Sequence, residues 1–201
     1  MAGISNADVF VGTLDQSTTV GAVLMAPVGT DLPEVDDMTP ASVTIDTAFQ
    51  GLGYLVEDGF DLGFEMSTET IKEHNLGVVR VVVSEANHSL TITCIQTNET
   101  VLGAAIGTEH VTTAAADTTH GKRFKAVFGA YLPDPQSWVI KLKDGNKRML
   151  VVVPQGQVSE VGTVTVAATG AIGWQLTISC LQDATLGGDM YILHDDGTVT
   201  A

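Results

Sequence analysis

Aromatic side chains make up only 5% of this 201-residue chain, cysteine occurs twice, and lysine and arginine together number 9 against 24 aspartates and glutamates. With few aromatics, the 44% apolar content and the mean hydropathy of +0.24 come from Val, Ala, Leu and Ile, which suits strands buried on at least one side. Long apolar runs are also missing. The longest, around Val20 to Val28 and Met149 to Val153, fall well short of the ~18 residues of a spanning helix. The opening Met1-Ala2-Gly3-Ile4-Ser5-Asn6-Ala7-Asp8 has neither the basic region nor the apolar block of a secretion signal, so a protein made and kept in a cytoplasm, away from membranes, is expected. Cys94 and Cys180 form no CxxC and have no histidine pair beside them, which gives no zinc site. Each suits a small buried hydrophobe; a disulfide would need neighbouring strands of suitable geometry.

Catalytic patterns are absent too. The chain has no GxSxG, no phosphate-cradling glycine loop followed by lysine, no HExxH and no EF-hand spacing. His74, His88, His110, His120 and His194 are scattered, four of them beside polar loops, which does not make a metal site. Glu57-Asp58, Asp36-Asp37 and Asp195-Asp196 adjoin one another at turns, and adjacency gives two carboxylates neither a defined separation nor opposed environments. No enzyme activity, metal or cofactor is expected.

What is present is alternation, and it repeats. Ser89-Leu90-Thr91-Ile92-Thr93-Cys94-Ile95-Gln96 is echoed by Gln175-Leu176-Thr177-Ile178-Ser179-Cys180-Leu181-Gln182. In each, Leu, Ile and Cys fall on one side of an extended strand and hydroxyls on the other. Valine runs precede both (Val81 to Val83 and Val151 to Val153), so either a similar strand pair is built twice and packed against itself, or strands simply reuse few residue types.

Further strands are expected at Asp8 to Thr13, Thr18 to Ala26, Gly51 to Glu57, Phe60 to Met66, Val78 to Ser84, Arg123 to Leu132, Ser137 to Lys143, Arg148 to Val153, Gln157 to Val161 and Asp189 to Leu193. A hairpin turn is expected at Asp144-Gly145-Asn146. Long loops are expected over about 27–47, 60–77 and 108–121, where periodicity fails. One short helix runs from Asn98 to Gly107, capped by Thr97 or Asn98, with Glu99 at its positive end and Val101, Leu102, Ala105 and Ile106 as its buried stripe. About ten strands, one helix and no strand-helix alternation predict a mainly β, sandwich-like fold over residues 1–201.

Charge is segregated. Residues 1–121 carry 17 acidic and 2 basic side chains, whereas residues 122–148 hold Lys122, Arg123, Lys125, Lys141, Lys143, Lys147 and Arg148 against Asp134 and Asp144. Arg123 with Lys125, and Lys141 with Lys143, would each share one side of a strand and offer a basic patch. In so acidic a molecule, a contact between like copies is expected ahead of phosphate binding: the basic segment would meet the acidic loop Asp31 to Asp37, or the Glu57 to Glu73 excursion, of an adjacent copy.

The chain resembles the major tail (tail tube) proteins of long-tailed bacteriophages, especially those of actinobacterial hosts. The resemblance is carried by Gly21-Ala22-Val23-Leu24-Met25-Ala26-Pro27-Val28-Gly29-Thr30, by Leu52-Gly53-Tyr54-Leu55-Val56-Glu57-Asp58-Gly59, by Leu90 to Gly103, and by Val151-Val152-Val153-Pro154-Gln155-Gly156-Gln157-Val158-Ser159-Glu160-Val161-Gly162 leading to Gly170-Ala171-Ile172-Gly173-Trp174, in the family's order. It implies a β-sandwich or barrel-like tail tube fold with one flanking short α-helix and long loops. It also implies hexameric rings stacked around a channel, through which genomic DNA passes without specific binding. Partners implied are a tape measure protein and tail terminator and baseplate proteins, in a virion tail assembled in the host cytoplasm. Many relatives carry a terminal immunoglobulin-like domain, which is not expected within residues 1–201.

Family members stack rings through a loop like the one from Phe60 to Gly77. Here Phe60, Phe64, Met66 and Ile71, with Glu73, would suit docking on the next ring, and equally would suit ordinary packing in a long hairpin. Lys122, Arg123, Lys125, Lys141 and Lys143 complete the candidate contact residues. An extracellular or adhesin-type β-sandwich binding module is the alternative on fold alone, and a small-ligand binder would show a pocket with convergent polar groups.

Overall fold

The alternating segments become strands, and a single antiparallel sheet gathers nine of them. The computed structural model describes residues 9–16 and 20–199. Among these, the strands are β1 (Thr13–Leu14), β2 (Val23–Pro27), β3 (Gln50–Gly51), β4 (Leu55–Glu73), β5 (Gly77–Cys94), β6 (Val111–Ala114), β7 (Arg123–Ala126), β8 (Gln136–Asp144), β9 (Lys147–Val161), β10 (Trp174–Cys180) and β11 (Tyr191–Asp195), with the helix α1 (Glu99–Ile106) between β5 and β6. The large sheet has the order β3-β2-β8-β9-β10-β5-β4, β1 joining β8 and β11 joining β9, while β6 and β7 pair separately. The expected mainly β, sandwich-like class holds. Asp8, Thr18 and Thr19, expected to begin strands, lie outside the described residues, as do Met1 to Ala7.

β9 is the hinge of the architecture. Its first half, Arg148 to Val153, runs between β8 and β11, and its second half, Gly156 to Val161, pairs with β10. The switch falls at Pro154-Gln155, where β8 offers one residue against two, because Pro154 lacks the N–H a regular ladder requires. The two strands expected at Arg148 to Val153 and Gln157 to Val161 are thus one strand, interrupted at Pro154. Gly156, just beyond, has no room for a side chain: a Cβ would lie 2.6 Å from Trp138 Cδ1 and 2.7 Å from Ile178 Cγ2.

The core divides between the two sides of the sheet. One cluster joins Val23, Trp138, Ile140, Val151 and Val153 to Leu90, Ile92, Cys94, Leu176 and Ile178, and α1 closes it with Val101, Ala104, Ala105 and Ile106. The other joins Leu24, Val139, Leu150, Val152 and Leu193 beneath the loop of residues 28–49, whose Leu32, Met38, Val43, Ile45 and Phe49 cover it. The helix forms as expected: the Asn98 side chain accepts from Val101 N–H at 2.9 Å, and Gly107 ends the helix at φ +95°.

The echoing strands are neighbours within the sheet instead of opposed layers. Leu176 lies opposite Ile92 and Ile178 opposite Leu90, while Val151 to Val153 sit in the core and Val81 to Val83 do not. Cys94 faces Trp174, and Cys180 is six residues farther along β10, roughly 20 Å at ~3.3 Å per residue. That is beyond the ~7 Å Cα span of a disulfide, and both cysteines are free. Part of the expected loop 108–121 is also a strand: β6 pairs with β7 and packs Val111 and Ala126 on the core. Conversely β7 stops at Ala126, short of the expected Leu132.

Candidate assembly surfaces

The excursion expected over residues 60–77 is a regular two-stranded ribbon. β4 and β5 remain paired from Phe60 opposite Ile92 out to Glu73 opposite Gly77. β10 leaves β5 at Ser179 opposite Ser89, so among the described residues Gly77 to His88 pair with β4 alone, roughly 40 Å of strand at ~3.3 Å per residue. At the tip, the Glu73 carboxylate accepts from Asn75 and Leu76 N–H, both at 2.9 Å. At the base, His88 Nδ1 and Asp189 Oδ2 are 2.6 Å apart, and the Phe64 ring meets His88 edge-on with centroids 5.2 Å apart.

Register separates the ribbon into two chemically distinct sides. One continues the core: Phe60 and Leu62, opposite Ile92 and Leu90, are partly buried against it, and the same side runs on through Phe64, Met66, Val83 and Val81. These four are uncovered, Met66 at 67% exposure and Val83 at 58%. The other side presents Asp61, Glu65 and Ser67 on β4 against Thr91, Asn87 and Glu85 on β5, with Gly63 opposite Ser89 and Glu69 opposite Val82. Gly63 leaves room there for the Ser89 hydroxyl, which a Cβ would approach to 2.4 Å.

That polar side extends across the sheet. Gln175, Thr177 and Ser179 on β10, with Gln157, Ser159 and Glu160 on β9, carry it onward, and the Ser179 hydroxyl donates to that of Ser159 at 2.8 Å. No lysine or arginine lies on these stretches of the four strands; Lys72 and Arg80, near the tip, are the first cations reached.

The expected basic patch is dispersed. Lys122 bonds the Glu99 carboxylate within the protomer, which lowers that carboxyl below its usual range. Arg123 Nη2 donates to Asp117 Oδ2 at 2.8 Å. Asp117 is held down to about 2 by hydrogen bonds from the Thr119 N–H and hydroxyl and from His120. Lys141 does not offer itself to a neighbour at all: it is 3% exposed, and burial pushes its pKa down despite the nearby Asp15 carboxylate. Lys143 is half-buried opposite Thr13, whose hydroxyl donates to the Lys143 carbonyl at 2.8 Å. Lys125, across from Thr112 on β7, stays exposed. Phe64, Met66, Ile71 and Glu73 lie on the ribbon, with Ile71 on the opposite side from Phe64, and Phe60 is at its base. Arg148, a further member of the basic segment, meets the loop of its own protomer, donating to the Pro40 and Ala41 carbonyls at 3.2 and 2.8 Å.

Two aromatic pairs had no signal in the spacing of their residues. Phe128 stacks on Trp174 with centroids 6.2 Å apart, and Tyr131 on His110 at 3.6 Å. They hold Val127, Phe128, Tyr131 and Leu132 as an exposed strip at the Cys94 end of the sheet. His88 could have been anticipated, since it falls two residues before Leu90 on the core side of β5.

Burial raises both thiols to about 12, assisted at Cys180 by the Asp189 charge. Among the described residues, no group of three His, Cys, Asp or Glu side chains is placed to hold a metal ion, and no helix is long and apolar enough to cross a membrane. Compared with known proteins, residues 16–201 match the family described as "Phage tail tube protein", and no curated protein matches the chain.

Proposed function

The chain belongs to the phage tail tube protein family, and from that premise we propose that its copies close into hexameric rings, stacked as the conduit through which DNA leaves the virion. As a tail tube protein it is a structural component of the virion tail. The observation that carries the finer reading is the polar side of β9-β10-β5-β4. It is a broad surface of hydroxyls, amides and carboxylates without a lysine or arginine before the ribbon tip. Turned toward a channel, that surface repels phosphates. DNA gains affinity from lysines and arginines that displace its counterions, and here there are none to displace them. A wall that must let DNA slide needs this lack of affinity.

Ring closure follows from the free border of the sheet. Among the described residues β4 is the last strand, and its outer row of N–H and C=O groups has no strand beside it. A neighbouring copy related by rotation supplies the missing pairing, and repetition closes the ring. The ribbon projects beyond the protomer and reaches the next ring; two strands standing alone in water are marginal, so it needs that contact. The tape measure protein would occupy the channel before DNA does, terminator and baseplate proteins would bound the tube, and assembly would take place in the host cytoplasm. No step of this role requires catalysis.

Electron microscopy of the purified protein tests the reading. Hollow filaments with a regular axial repeat and sixfold end views are expected on concentration. Particles that stay single copies at every concentration and salt would overturn it.

A further inference from the structure

Resting on the tube reading above, the structure assigns the surface that receives the ribbon: we propose that the apolar side of one copy's ribbon seats under the Val127 to Leu132 strip of a second copy displaced along the strand direction. Three observations converge. First, the two surfaces stand at opposite ends of the same strands. The ribbon tip is at Glu73 to Gly77, whereas the strip is anchored by Phe128 on Trp174, and Trp174 is opposite Cys94 at the other end of β5. A head-to-tail stack needs complementary surfaces at its two ends.

Second, both surfaces lie on the side of the sheet that holds the core. Phe64, Met66, Val83 and Val81 prolong the side of Leu90 and Ile92, and the strip follows β7, whose Ala126 packs with Val111 on that same core. A shift along the strands therefore brings the ribbon of one copy beneath the strip of the next without turning either over. Third, each surface is apolar and uncovered in the protomer, with Met66 67% and Leu132 65% exposed. Uncovered apolar surface of this extent on a protein of such charge marks an interaction site.

The test uses two single substitutions at exposed positions, Leu132→Glu in the strip and Val83→Glu on the ribbon, beside the unmodified chain. Both variants should keep the unmodified unfolding midpoint. Mean tube length should fall about tenfold or more for each, because every addition step then buries a carboxylate in an apolar contact. Mixing them is the decisive arm. A Leu132→Glu copy keeps a working ribbon and a Val83→Glu copy keeps a working strip, so the mixture should yield paired stacking units and nothing longer. If Leu132→Glu forms tubes of unmodified length, or the mixture gives no pairs, the strip is not the receiver, while the tube reading stands. If the unmodified chain forms no tubes under the same conditions, the tube reading falls and this inference with it.

Discussion

Asp15 and Arg148 meet at 2.6 Å inside the protein, 133 residues apart in the chain. Because the same guanidinium donates to the Pro40 and Ala41 carbonyls, one side chain joins the segment before β2, the first half of β9 and the loop over the second core. Removing one charge of a buried pair leaves the other unpaired in a poorly solvated site. Asp15→Asn should therefore cost about 3–5 kcal/mol of unfolding free energy, read from urea denaturation. Arg148→Lys should not rescue: an ammonium cannot reproduce the planar fork that reaches Asp15 and two carbonyls at once.

The helix depends on its first turn. α1 spans only Glu99–Ile106, and the Asn98 side chain satisfies the Val101 N–H. Asn98→Ala should lower stability by about 1 kcal/mol, and Asn98→Asp should retain most of it, since Asp accepts the same bond. Thermal unfolding of the two variants side by side checks this.

Gly156 presents the opposite case, a position where adding atoms is the fault. A methyl there would press on Trp138 and Ile178 at 2.6 and 2.7 Å, and both are fully buried in the packed core. Gly156→Ala should destabilise by about 1–3 kcal/mol, with a change in the fluorescence of Trp138, whose indole N–H donates to the Gly156 carbonyl at 2.9 Å.

How much of this could be read before the structure depends on where each segment's partners lie. Leu90, Ile92, Leu176 and Ile178 alternate because one side of their strands is buried in the protomer, and α1 shows its cap and stripe for the same reason. The outer ribbon lost its pattern from Ser67 to Gly77 because neither side is covered in the protomer, so nothing imposes the two-residue period. The dispersal of the basic segment has a different cause. Counting charges along the chain does not reveal that Lys141 and Arg148 point beneath their own loop, or that Glu99 and Asp117 already answer Lys122 and Arg123. The strip was missed because it rests on stacking between rings far apart in the sequence, Phe128 with Trp174 and Tyr131 with His110.

The thiols should be chemically silent. With both held at about 12, the thiolate fraction at pH 8 is roughly one in ten thousand, against about one in four for the ordinary thiols of an unfolded chain. A thiol reagent at pH 8 should thus label neither Cys94 nor Cys180 in the folded protein and both after denaturation. Rapid labelling of Cys180 in the native protein would contradict its placement on the core side of β10.

The polar side of the sheet makes the most direct prediction about DNA. Glu65 and Glu69 are exposed, two positions apart on that side of β4, and neither supports the core. The double substitution Glu65→Lys and Glu69→Lys should leave folding intact and replace two repulsive charges per copy with two attractive ones. In an assembled tube these would recur around every ring and supply the phosphate contacts the natural surface lacks. Tubes of the variant should then retain linear DNA at ~50 mM salt and release most of it by ~200 mM, whereas unmodified tubes retain none at either. Filter binding across that range measures it. Equal, weak retention by both would mean that the side bearing Glu65 and Glu69 does not face the channel.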